Sequence, residues 1–144
     1  MSDPLYKGHC LCGSVTLEVK GKPSTEGICH CASCRSWHAA PLNTWALWKG
    51  ERFQILQGEE LLDSYDTGTS QRHWCRRCGS GLFNRKPSGH IVIYTMILEK
   101  SGFVHNPSCH IHCQESVFEV NDDLPKYQDL PSKWGGSGAQ SPPK

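Results

Sequence analysis

Long apolar runs are missing from this sequence: nothing approaches the roughly 20 consecutive apolar residues that a membrane-spanning helix needs. An excess of one charge is missing too. Lys and Arg number 15 against 14 Asp and Glu, a net charge of +1. That balance offers neither a basic footprint for nucleic acid nor an acidic interaction tail. The opening residues, Met1-Ser2-Asp3-Pro4-Leu5-Tyr6, lack the basic-then-apolar order of a secretory leader. The expectation is a soluble, cytoplasmic protein with neither a membrane nor a nucleic acid as partner. No window carries a sustained 3.6-residue apolar period, and 14 Gly and 9 Pro interrupt the chain, so helices should be short turns.

Strand signals are present instead. Ser14–Val19 alternates polar and apolar residues, Thr44–Trp48 and Arg52–Leu56 flank a Lys49-Gly50 break, and Ile91–Ile97 is apolar and β-branched as a buried central strand would be. Cys109–Cys113 and Val117–Val120 are weaker strand candidates, Gly21–Ser24 reads as a turn, and Cys31–Ala40 suits a single helical turn. The class is mainly β, built from antiparallel sheets. At 144 residues the chain suits a single domain, expected over residues 1–130, with a Gly-, Ser- and Pro-rich disordered tail over 131–144.

Cysteine is the departure from ordinary composition. Nine Cys in 144 residues is an odd number and lies below the ~8–10% of a disulfide scaffold. In a reducing compartment such cysteines hold metal more often than they pair. They fall into four knots: Cys10 and Cys12; Cys29, Cys31 and Cys34; Cys75 and Cys78; Cys109 and Cys113. Cys10-Leu11-Cys12-Gly13 and Cys75-Arg76-Arg77-Cys78-Gly79 together supply four thiolates, a complete tetrahedral set for structural zinc. The Gly that ends each motif lets the backbone turn its N–H groups toward the sulfurs.

Cys29-His30-Cys31-Ala32-Ser33-Cys34 offers only three thiolates. Three protein ligands and an open position mark a working zinc rather than a structural one. A closed site is the alternative, with His30, His38, Cys109 or Cys113 as the fourth ligand; free thiols without metal are another. Two zinc ions are therefore expected, one structural and one at the working site. Zinc with three thiolates carries a charge of 2 − 3 = −1, and a fourth sulfur makes it −2, so nearby donors or cations are needed; Arg35, beside Cys34, is the candidate.

Taken together, Gly8–Val15, Cys29–Arg35, Cys75–Phe83, His110-Ile111 and Leu124–Tyr127 resemble the glutathione-dependent formaldehyde-activating enzymes and the related centromere-protein-V-like domains, over Tyr6 to about Leu130. The resemblance implies an antiparallel β-tent like that of methionine-R-sulfoxide reductases. It places structural zinc on Cys10, Cys12, Cys75 and Cys78, and working zinc on Cys29, Cys31 and Cys34. The implied activity joins formaldehyde to glutathione as S-hydroxymethylglutathione, which is carbon–sulfur lyase chemistry written in reverse. The small residues usual after the three-cysteine knot are replaced by Ser36-Trp37-His38, and Val117-Phe118 stands where the family often has Pro-Trp.

The partners expected are a small thiol, glutathione foremost, and a small carbonyl. Arg76, Arg77, Arg85 and Lys86 are either a solvated face or a site for glutathione carboxylates. His110 and His112 would share one strand face, and Trp45 or Trp48 is a candidate pocket wall. Two other functions fit the sequence. One is a zinc-stabilised protein-interaction module. The other is a cysteine redox enzyme of the sulfoxide reductase type using Cys109 or Cys113. The sequence leaves the oligomeric state open.

Overall fold

The computed structural model describes residues 3–141. It is mainly β, with ten strands and one short α-helix among the described residues. The chain groups into two compact units, Met1–Thr25 with Ala46–His105 and Glu26–Trp45 with Asn106–Lys144.

In the first unit β1 (Leu5–His9), β2 (Thr16–Lys20) and β5 (Phe53–Gln57) form an antiparallel sheet in the order β1-β2-β5. Alternation in β2 places Leu17 and Val19 inward, both fully buried. A second antiparallel run joins β6 (Leu62–Asp66), β7 (Gln71–Cys75), β8 (Gly81–Arg85) and β9 (Ile91–Tyr94), each paired with the next. The hydrophobic core belongs to this unit and includes Val15, Leu17, Trp48, Phe83, Ile93 and Leu98, with Cys10 and Cys75 among its members. Trp48 is buried and donates its indole N–H to the Gly21 carbonyl at 3.0 Å, so it is core and not a pocket wall.

In the second unit β10 (His110–Ile111) runs parallel to β3 (Thr25–Cys29), pairing His110 with Ile28 and Ile111 with Cys29. The ladder continues one residue further, where the His30 N–H donates to the Ile111 carbonyl at 3.1 Å. Next comes α1 (Ala32–His38), and then the start of β4 (Asn43–Trp48), where Trp45 is buried and packs edge-on against Trp134 at 6.0 Å.

Several sequence expectations are corrected. The apolar run Ile91–Ile97 stays extended only to Tyr94; Thr95–Ser101 is 3₁₀-helical, burying Thr95 and Leu98 three residues apart and leaving Met96 exposed, the period of a 3₁₀ turn. Cys109–Cys113 contributes only the two residues of β10, and Val117–Val120 forms no strand. From residue 131 the expected disordered tail carries a 3₁₀ turn at Ser132–Trp134, a Ser137 hydroxyl bonded to Asp129 at 2.6 Å, and a bridge between Tyr127 and Gln140. Residues 142–144 of that expected tail lie outside the described residues. No helix among the described residues is long and apolar enough to cross a membrane.

Candidate metal centres

The first unit brings Cys10, Cys12, Cys75 and Cys78 together, their four sulfurs all within 4.8 Å of one another. Cys10 Sγ lies 3.6 Å from Cys12 Sγ, and Cys12 Sγ lies 3.9 Å from Cys75 Sγ. Four thiolates about 2.3 Å from one ion sit ~3.8 Å apart at tetrahedral angles, so the quartet fits zinc. Both knuckles turn through glycine in the left-handed region, Gly13 at φ +78° and Gly79 at φ +79°, which a side chain would strain. The Gly13 turn lets Val15 donate its N–H to the Cys10 sulfur at 3.3 Å.

The sulfurs are not equivalent. Cys12 is exposed, and the Ser14 hydroxyl and N–H hold its thiol down to about 6. Burial pushes Cys75 up to about 11. The arginines nearby brace the loops: Arg77 donates to the Ser14 hydroxyl at 2.8 Å and Arg76 to the Glu60 carbonyl at 3.3 Å. Arg85 lies over the Phe53 and Phe83 rings. Three of the four cations considered for carboxylate binding thus have structural partners.

The second unit brings together Cys29, Cys31 and Cys34, again within 4.8 Å. Two elements place them. Cys29 ends β3 and is buried; Cys31 is the N-cap of α1; Cys34 lies in its first turn. The Cys34 N–H donates to the Cys31 sulfur at 3.3 Å, so this thiol does the work usually given to a Ser or Asp cap. The neighbouring thiols of Cys29 and Cys34 hold Cys31 down to about 2, while the same sulfur contacts push Cys29 far up. A tripod that keeps one thiolate and shares the remaining protons gives them up when a cation takes their place. Its donor set suits zinc.

Among the described residues no fourth His, Cys, Asp or Glu atom joins the tripod within that radius, so His30, His38, Cys109 and Cys113 do not complete it. Burial raises Cys109, and raises Cys113 to about 11, the opposite direction from the lowered thiol of a redox nucleophile. Arg35 turns its Nε toward the His30 carbonyl at 3.3 Å and braces the loop between Cys29 and Cys31.

His110 and His112 do not share a strand face. His110 is fully buried, whereas His112 lies past the end of β10 with a left-handed φ of +56° and its Nδ1 3.7 Å from Glu115 Oε2. Glu115 also accepts the Ala32 N–H at 3.2 Å, next to Cys31. Sequence reasoning missed Asp122, which accepts from Lys126 Nζ at 2.8 Å and meets His110 Nε2 at 2.8 Å. Burial works to raise its carboxyl, and Lys126 and His110 overcome it, leaving Asp122 at about 2. Burial depresses His30 to about 4, so its ring is neutral.

A sequence model of the glutathione-dependent formaldehyde-activating enzyme family matches residues 5–116, well over half of the chain. Proteins of Aspergillus flavus and Aspergillus oryzae, both provisionally described as glutathione-dependent formaldehyde-activating enzymes, are each 28% identical over 80 residues. Those matches cover 54% of this chain and 42% of each relative, so the chain spans less than half the length of either. A Rhodobacter sphaeroides protein of known crystal structure is 27% identical with a TM-score of 0.54, over 65% of this chain and 87% of that one. The chain belongs to the glutathione-dependent formaldehyde-activating enzyme family.

Proposed function

We propose that this member of the family adds a thiol, glutathione first among candidates, to formaldehyde or a related small carbonyl at the site of Cys29, Cys31 and Cys34. The observation that carries the reading is the three-sulfur tripod without a fourth ligand atom among the described residues. The family's description supplies the substrate pair. A zinc ion held there would bind the incoming sulfur and favour its thiolate form at neutral pH.

The chain's own residues set the geometry. Cys29 anchors the tripod to β3, and Cys31 and Cys34 fix it to the first turn of α1, whose N–H groups offset the excess negative charge of the sulfurs. Arg35 holds the loop through the His30 carbonyl and brings a cation to the same turn. The addition balances simply. The thiol S–H bond and the carbonyl π bond break, a C–S bond forms, and the proton ends on the carbonyl oxygen. Run backward, this is carbon–sulfur lyase chemistry. Cys10, Cys12, Cys75 and Cys78 would hold a structural zinc. A cytoplasmic setting, which keeps both sulfur sets reduced, suits this chemistry.

The test is to mix zinc-loaded protein with formaldehyde and glutathione and to follow the adduct by NMR. Adduct forming faster than in the protein-free mixture is expected. An unchanged rate at full zinc loading would favour a zinc-stabilised interaction module instead.

A further inference from the structure

His30 stands between two of the three sulfur ligands, and imidazole is a common zinc ligand. A ring so placed is the obvious candidate to fill the fourth position, yet neither of its nitrogens joins the tripod. Part of the reason is local. His30 continues the extended run of β3 through its N–H bond to Ile111, and neighbouring side chains on an extended chain leave on opposite sides. The rest of the reason lies 80 residues away, where His110 Nδ1 meets His30 Nε2 at 2.8 Å.

Proton positions along this chain of contacts follow by elimination. A carboxylate only accepts, so His110 donates to Asp122 from Nε2. With a single proton on His110, placed on Nε2 by Asp122, its Nδ1 accepts and His30 donates from Nε2. That leaves His30 Nδ1 buried and without a partner. Lys126 is itself pinned, donating to the carbonyls of Asp122 and Leu124 at 3.1 and 3.2 Å.

We propose that Asp122 and Lys126, acting through His110, are positioning residues that keep the three-cysteine site open: they hold the His30 ring by its Nε2–H on the side of the strand away from Cys29 and Cys31, so that it does not become the fourth ligand. The inference rests on the open-site reading of the proposed function. It goes beyond that reading by naming what prevents the chain from closing its own site.

The experiment is histidine ¹⁵N NMR on the zinc-loaded protein, with glutathione affinity measured by calorimetry. In the native protein His30 is expected to carry its proton on Nε2, with Nδ1 free of both proton and metal. In Asp122→Ala, which leaves His110 Nε2 without its acceptor, the His30 ring is released, a His30 nitrogen takes a metal-bound shift, and glutathione affinity falls by about tenfold or more. Adding His30→Gln, which keeps an N–H toward His110 and offers no imidazole, restores the affinity. A native His30 protonated at Nδ1 overturns the inference without any variant. Unchanged affinity and an unligated His30 in folded Asp122→Ala overturn it as well. A metal-bound His30 in the native protein overturns both this inference and the open site. A native protein that binds no glutathione, with His30 free of metal, counts against the proposed function, and the His30 shifts in the two proteins still decide the inference.

Discussion

The backbone N–H of Cys34 donates to the sulfur of Cys31 at 3.3 Å, so one sulfur of the tripod caps the helix that carries another. The tripod's geometry and the helix start are thereby a single feature, and a change at Cys31 touches both.

This gives a prediction with two arms. Cys31→Ser keeps an oxygen able to cap and loses a thiolate, so the fold survives and zinc falls from two ions to one per chain. Cys31→Ala loses the cap as well and should be less stable than Cys31→Ser by about 1 kcal/mol. Metal analysis and urea unfolding of both variants check this. Equal stability would mean that the cap contributes nothing.

Cys12 and Cys75 should separate by reactivity in zinc-free protein. Cys12 is exposed with a pKa of about 6, and Cys75 is buried with a pKa of about 11. At pH 7 iodoacetamide should modify Cys12 at least ~10-fold faster, since the thiolate is the nucleophile. The Cys12 rate should fall as pH drops through about 6. Equal rates would show that the quartet is not preformed without metal.

Asp122 has a folded-state pKa of about 2, below the ~3.9 of an unfolded Asp. A depressed carboxyl stabilises the fold above its unfolded pKa, and that stability is lost as pH falls toward the folded value. The stability lost in Asp122→Asn should therefore be the same at pH 7 and pH 5, narrowing only below pH ~4. The ¹³C titration of the native carboxyl should have its midpoint near 2. A midpoint near ~3.9 would mean that the Lys126 and His110 contacts do not persist in solution.

Gly27 lies in β3 two residues before Cys29, and a Cβ there would meet the Trp45 ring at 2.6 Å and the Cys109 carbonyl oxygen at 3.1 Å. Gly27→Ala should destabilise by roughly 1–3 kcal/mol, the range for overpacking a filled site. Thermal unfolding measures it, and a neutral result would show that Trp45 yields freely.

Both sulfur sets were legible in the sequence because close-spaced Cys pairs need no knowledge of the fold to be read as ligands. β2, β4 and β5 were legible through alternation or branched residues, within a residue or two of their observed ends. β6 and β7 were not: polar residues such as Asp63, Ser64, Gln71 and Arg72 hide strands whose stability comes from pairing partners. β3 was missed because Gly27 breaks its pattern, although packing against Trp45 demands that glycine. The Asp122–His110–His30 contacts were invisible for a different reason. They join residues up to 92 positions apart in sequence, and only the parallel pairing of β10 with β3 brings His110 beside His30.

The open position proposed for the tripod is tested most directly by ¹¹³Cd NMR of cadmium-substituted protein titrated with glutathione. Two resonances are expected, one in the four-sulfur region and unmoved by glutathione, the other outside it until the thiol arrives and then shifting into it. Two four-sulfur resonances from the outset, or a second resonance that glutathione never moves, would contradict the account.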